Sequence, residues 1–152
     1  MMSNNGDPYK QAINAYQDSN TSGMSGFDIV VELYKGMIKN IQQAKLAHRE
    51  DKFDEMCNLI EKNNQILIAL QSHIDRENGG EAAEFLDKFY TGIFGAMARV
   101  HKQEDPAEAF DALLGHIQPV YEIWCRHAAD AAAAATGEVK QDDNGSGVEV
   151  GA

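Results

Sequence analysis

A chain of 152 residues is the length of one ordinary domain and is long enough to bury a full core. Its 24 acidic residues against 13 basic ones give a formal charge of −11, which repels phosphate backbones and anionic head groups and so argues against nucleic acid as a partner. No run approaches the roughly 20 consecutive apolar residues that a membrane-spanning helix needs, so neither insertion nor spanning is expected. Cys57 and Cys125 stand alone, with no Cys-x-x-Cys pair and no secretory signal ahead of them. They read as buried free thiols in a reducing compartment, the cytoplasm.

In chain order, residues 1–24 are rich in Asn, Ser, Gly and Asp, with a short helical stretch from Pro8 to Tyr16 that aligns Tyr9, Ile13 and Tyr16. A helix of that length is not stable alone in water, so this flexible segment either moves or docks on the body. The first long helix is expected to start at a Ser25 N-cap with Asp28 in its first turn. Val30, Leu33, Tyr34, Met37, Ile41 and Ala44 then recur at steps of three and four as its inward stripe. The second helix is predicted from about Lys52 to Ile74, with Phe53, Met56, Cys57, Ile60, Leu67, Leu70 and Ile74 inward and Asn64 marking a polar layer.

Asn78-Gly79-Gly80 reads as a helix stop, because glycine reaches the left-handed conformation of a C-terminal cap. A third helix restarts at Glu81 with Ala82, Leu86, Phe89, Tyr90, Ile93, Met97 and Val100 as its stripe. Asp105-Pro106 begins the fourth, which carries Phe110, Leu113, Leu114, Ile117, Val120, Tyr121 and Trp124, with a kink expected at Pro119. An alanine run extends it beyond Asp130, and the residues after it read as a disordered acidic tail. The expected organisation is therefore residues 1–24 as a segment with a short helix, 25–135 as an all-α antiparallel four-helix up-and-down bundle, and 136–152 as tail.

Five histidines and many carboxylates invite a search for metal or catalytic sites. None of His48, His73, His101, His116 or His127 has a Glu three residues before it, as a di-iron bundle requires. Zinc, haem and nucleotide-phosphate motifs are absent as well, so no metal, no cofactor and no catalytic residue is assigned. A histidine phosphotransfer module needs only one exposed, activated histidine on such a bundle. His73 and His101 are positioned for it but lack the expected lysine-glycine context. An adaptor bundle for some other client is the remaining alternative.

Ser25 to Gly36 and Gly79 to Tyr90 carry a family likeness. Leu33-Tyr34-Lys35-Gly36 matches a Leu-Tyr-x-Gly that follows a Ser-Pro-x-x-Leu start, Gly79-Gly80-Glu81 matches a Gly-Gly-Glu, and Leu86 with Phe89-Tyr90 resembles a Leu-x-x-Leu-Tyr. A late tryptophan falls at Trp124, and Tyr9 and Tyr16 stand where N-terminal tyrosines are found. In this order and spacing, over about residues 8–128, the chain resembles the FliS family of flagellar secretion chaperones. It departs from that pattern at Gly26, where proline is usual, at Glu32 and at Pro119.

The resemblance implies a cytoplasmic, non-enzymatic chaperone that holds the disordered C-terminal segment of flagellin. Such a protein prevents premature polymerisation and presents its client to a component of the flagellar export gate. An amphipathic client can lay its apolar faces into grooves of a bundle. Candidate groove residues are apolar positions off the main stripes: Ile29, Val31, Ile38, Leu59, Ile66, Ile68, Phe85 and Phe94. Leu33 and the tyrosines Tyr34 and Tyr90 join them, together with Tyr9, Ile13 and Tyr16 of the N-terminal segment, since a phenol offers an apolar body and a bonding hydroxyl. The competing reading for each is simply a wide core face. The N-terminal segment, linked through Ser19 to Gly23, is expected to lie over the groove until flagellin displaces it.

Overall fold

The computed structural model describes the backbone of residues 26–141 and side chains to residue 135. Tyr9, Ile13, Tyr16 and the Ser25 cap lie outside the described residues, as do residues 142–152.

Four α-helices account for nearly all of it: α1 (Gly26–Arg49), α2 (Phe53–Ser72), α3 (Gly80–Ala98) and α4 (Pro106–Gln141), with a 3-10 turn at Val100–Lys102. Helix α1 forms where expected. Its apolar positions repeat every three or four residues, Asp28 sits in the first turn and His48 and Arg49 in the last, each sign opposing the helix dipole. Leu33, Tyr34, Met37, Ile41 and Ala44 are completely buried. The helix ends in a Schellman-type turn: the amide of Lys52 donates to the carbonyl of Ala47 at 2.8 Å, and that of Asp51 to His48 at 3.1 Å. Asp51 takes the left-handed position of this turn at φ 60°, a place that glycine fills more easily.

Helix α2 buries Met56, Leu59, Asn63, Ile66, Leu67, Ala69 and Leu70. Three expectations are corrected here. Phe53 and Cys57 are exposed rather than inward, on the first turns of the helix; Phe53 meets the His48 ring at the end of α1, edge-on at 5.7 Å. Cys125 is only half-buried. The polar layer is built by Asn63, one residue before the predicted Asn64: the Asn40 amide donates to the Asn63 carbonyl oxygen at 3.0 Å, and Asn63 donates to the Met37 carbonyl at 3.4 Å.

The glycine pair is a start and not a stop. Helix α2 already ends at Ser72, and Gly79-Gly80 opens α3. The amide of Gly79 donates to the Asp75 carbonyl at 2.8 Å, and a β-carbon on Gly79 would collide with that oxygen and come within 2.6 Å of the Ala83 β-carbon. Gly80 adopts φ +57°, which a side chain would strain. The register of α3 follows from this start, so Ala83 is buried and the predicted Ala82 is exposed. Helix α4 begins as expected, with the Asp105 carboxylate accepting from the Glu108 amide at 3.3 Å. It passes through Pro119 and Gly137 without a break and ends at Gln141.

Side-chain pairings fix the directions. Asn40 meets Asn63, while Lys45 pairs with Asp111 at 2.8 Å and Phe27 stacks on His127 at 5.5 Å. Rising numbers on α1 therefore match falling numbers on both α2 and α4, the up-and-down antiparallel arrangement. Helix α1 packs closely on α2 and on α4, and α2 packs on α3, but the backbones of α3 and α4 scarcely approach each other. Three seams of the bundle are closed and the fourth is open.

Replacing Asp51 with glycine removes the left-handed strain at the end of α1 and touches no core contact. We expect Asp51→Gly to raise the unfolding free energy by about 0.5 kcal/mol in chemical denaturation; an unchanged or lower midpoint would show that the turn is not strained.

Candidate functional site

The open seam between α3 and α4 forms an apolar groove of about 490 Å³. From α3 it takes Phe85, Lys88, Phe89, Gly92, Ile93 and Ala96, and from α4 it takes Leu113, His116 and Val120. These positions recur at helical spacing, so each helix presents one continuous strip. Ile93 and Leu113 lie at the bottom and belong to the core. Phe85 and Phe89 stack at 5.5 Å along one rim, and Phe85 is 54% exposed. A phenylalanine held that far out of the core, beside an apolar trough, marks an interaction surface more than a packing defect. Gly92 lies mid-helix on the same strip, and a β-carbon there would meet nothing within 4 Å.

One end of α3 is tied down by polar contacts. Arg76 donates to Asp87 at 2.8 Å, and Gln71 reaches Asp87 at 3.2 Å and Thr91 at 2.9 Å. The hydrogen bond from Arg76, with that guanidinium's charge, holds the Asp87 carboxyl below its ordinary value of 3.8. The sign is that of a depressed carboxylate: the tie is intact at neutral pH and loosens only as pH falls through the lowered value.

A second, smaller cavity of about 200 Å³ lies at the end of the bundle where α1 begins, lined among others by Val30, Leu70, Leu86, Tyr90 and Trp124. The Trp124 indole nitrogen is buried and has no hydrogen-bond partner among the described residues. Beneath it the Tyr34 and Tyr90 hydroxyls share a hydrogen bond of 2.8 Å. A third concavity, of about 520 Å³ along α1 and α2, is lined mostly by polar groups such as Gln43, Glu55, Asn58 and Lys62, with Leu59 as its one apolar side chain. Among the described residues no three His, Cys, Asp or Glu side chains cluster as a metal site would, and no helix is long and apolar enough to cross a membrane.

The predicted partner-binding residues divide sharply. Phe85 lines the groove. Ile29, Leu33, Tyr34, Leu59, Ile66 and Tyr90 are core residues, all at most 6% exposed; α1 and α2 each pack on two neighbours and need a wide apolar face, and Tyr90 of α3 meets Tyr34 inside the bundle. Ile38 and Phe94 are half-buried against that core, and Val31 is half-buried on α1. Ile68 is exposed on α2, away from the groove. Phe89, Ile93, Leu113 and Val120 were expected in the core stripes and instead also form the groove wall, while Lys88, Gly92, Ala96 and His116 carried no assignment. A glycine followed one turn later by alanine, on a helix face bounded by two phenylalanines, is the signal that could have found them.

His73, the first candidate for phosphotransfer, places Nδ1 within 3.2 Å of the Ala69 carbonyl and 3.1 Å of the Ser72 hydroxyl at the end of α2. That nitrogen is engaged in closing the helix.

The family model for flagellar protein FliS matches residues 9–131 of this chain. A flagellar secretion chaperone FliS from Campylobacter jejuni is 30% identical over 96 residues, covering 62% of this chain and 75% of the relative. Another protein of that name from Vibrio cholerae is 27% identical over 107 residues, covering 70% of this chain and 78% of the relative. With a match that covers α1, α2, α3 and most of α4, the chain belongs to the FliS family of flagellar proteins.

Proposed function

We propose that this chain is a flagellar secretion chaperone that acts in the cytoplasm without catalysis. It holds the C-terminal segment of flagellin as an amphipathic helix in the α3–α4 groove and presents it to the export gate. The observation that carries this reading is the open seam, an extended apolar trough on an otherwise closed bundle of a FliS-family chain. Ordering a flexible client costs several kcal/mol, so the seat must be long and apolar. Phe85, Phe89, Ile93, Ala96, Leu113 and Val120 supply such a strip, and a helix laid along it would complete the missing seam much as a fifth bundle member.

The smaller cavity supports a role for the N-terminal segment. It adjoins Val30 near the start of α1, where that segment joins the body, and the Trp124 N–H there needs an acceptor. In this reading Tyr9, Ile13 and Tyr16 cover part of the apolar surface in the free chaperone, and flagellin displaces them.

Gly92 gives a direct test of the groove. Because a β-carbon there meets nothing, Gly92→Ala should stabilise the free protein by about 0.5–1 kcal/mol through helix propensity alone. Gly92→Leu should leave the fold intact and fill the trough. We expect wild-type protein to form a one-to-one complex with flagellin in gel filtration, tail-less flagellin to form none, and Gly92→Leu to weaken binding at least about tenfold. Equal binding of tail-less flagellin would overturn the reading. Deleting residues 1–20 should speed association in stopped-flow mixing, and an unchanged rate would remove the N-terminal segment from the mechanism.

A further inference from the structure

The groove is apolar along its floor yet carries a charge bias opposite to that of the chain. Of its nine lining residues, Lys88 and His116 are the two that can bear charge, both positive, and none is acidic. The chain as a whole has 24 acidic residues against 13 basic ones, so a basic rim at this place is a local inversion. Two nearby carboxylates are committed elsewhere: Asp87 to Arg76 at 2.8 Å on the α2 side, and Asp111 to Lys45 at 2.8 Å on the α1 side. Lys88 itself is paired with Glu84 one turn back at 3.7 Å, with the two side chains 79% and 68% exposed. A pair that solvated and that long contributes little, so the ammonium is available to a better partner.

Gly92 stands one turn beyond Lys88 on the same strip, with Ala96 one turn further. A client helix can come closest to α3 over these two residues, since neither raises a side chain that would hold it off. From this juxtaposition we infer that the groove selects a helix bearing a small residue (Gly, Ala or Ser) over Gly92 and an Asp or Glu three or four residues away, directed at Lys88 and His116. The inference rests on the reading that this groove seats the client.

The physical reason is differential. A carboxylate drawn beside the Phe85 and Phe89 rings loses water, which is unfavourable unless a charged donor replaces it. The Lys88 ammonium replaces it, with a ring nitrogen of His116 as a further hydrogen-bonding group on the opposite wall. A lysine at the same client position meets like charge and is rejected. A strongly acidic chain otherwise attracts basic segments over its whole surface, and the inverted rim counters that attraction at the one trough where binding has a purpose.

The test uses the full-length chaperone and a fluorescein-labelled peptide with the sequence of the C-terminal segment of flagellin from the same cell, read by anisotropy. Lys88→Glu should weaken binding about tenfold and Lys88→Gln about threefold, with circular dichroism and thermal midpoint unchanged. Lys39→Glu, the same charge change at an exposed site on α1 away from the groove, should stay within about twofold. Peptides in which one acidic residue at a time is changed to lysine should include one that restores binding to Lys88→Glu and loses it with wild type. Two outcomes overturn the inference while leaving the groove in place: Lys88→Glu behaving like Lys39→Glu although Gly92→Leu still blocks binding, or no peptide showing the charge swap. If Gly92→Leu also binds normally, the groove itself is not the seat and both readings fail.

Discussion

A four-helix bundle can leave one seam open only if the other three hold the molecule without it. Helix α1 meets that requirement. It is packed on α2 and on α4, and it buries Ile29, Val30, Leu33, Tyr34, Met37, Ile41, Ala44 and Ala47 along a face wide enough to serve both neighbours. Each large apolar side chain so enclosed contributes about 1.5–3 kcal/mol relative to exposure, and that concentration around one helix lets α3 remain attached mainly through α2. The open groove is a consequence of where the apolar residues were placed: enough on α1 to saturate two seams, and too little bulk on Gly92 and Ala96 to close the fourth.

Polar pairs in the core then fix how the helices are set against one another. Asn40 and Asn63 bond at 3.0 Å between α1 and α2, and any slide of one helix would leave two buried amides unpaired at a penalty of about 1–3 kcal/mol each. Tyr34 and Tyr90 act the same way between α1 and α3, joined at 2.8 Å across the interior. This second pair matters for the groove. Tyr90 lies on α3 next to Phe89, which lines the trough, so the hydrogen bond resists rotation of α3 and keeps that strip aimed at α4. Arg76, Gln71 and Asp87 anchor the same end from the outside.

The fold was legible because its signal is periodic. A residue that recurs every three or four positions declares its face from sequence alone, and the buried stripe of α1 follows that rule. The errors cluster where the period says nothing. Leu59 and Ile66 lie off a narrow seam and read equally as groove or as wide core face, whereas in the structure α2 touches two helices and buries both. Asn63 and Asn64 are adjacent, and the period cannot decide between neighbours that straddle the edge of a stripe. Gly79 and Gly80 suit a helix end of either polarity, and the bond from the Ala83 amide to the Gly79 carbonyl shows which. The groove was the least legible feature of all. It is a distance between α3 and α4, and its mark in the sequence is only the pair of small residues Gly92 and Ala96 on one wall.

The same geometry bears on how tightly such a groove can hold anything. A trough framed by closed seams needs little rearrangement to receive a helix, so most of the ordering entropy falls on the incoming segment. A client that must later be surrendered benefits from that division, because affinity is then limited by the client's own disorder and not by a conformational lock on the receiver. The exposed rim at Phe85 and Lys88 points the same way. In the proposed reading, contacts at that wet edge would set which partner is admitted and how fast it arrives, while the buried floor at Ile93 and Leu113 would set how long it stays. The floor in that reading runs from Phe89 to Ala96 on one wall and from Leu113 to Val120 on the other, so residence should depend on the length of helix laid along it.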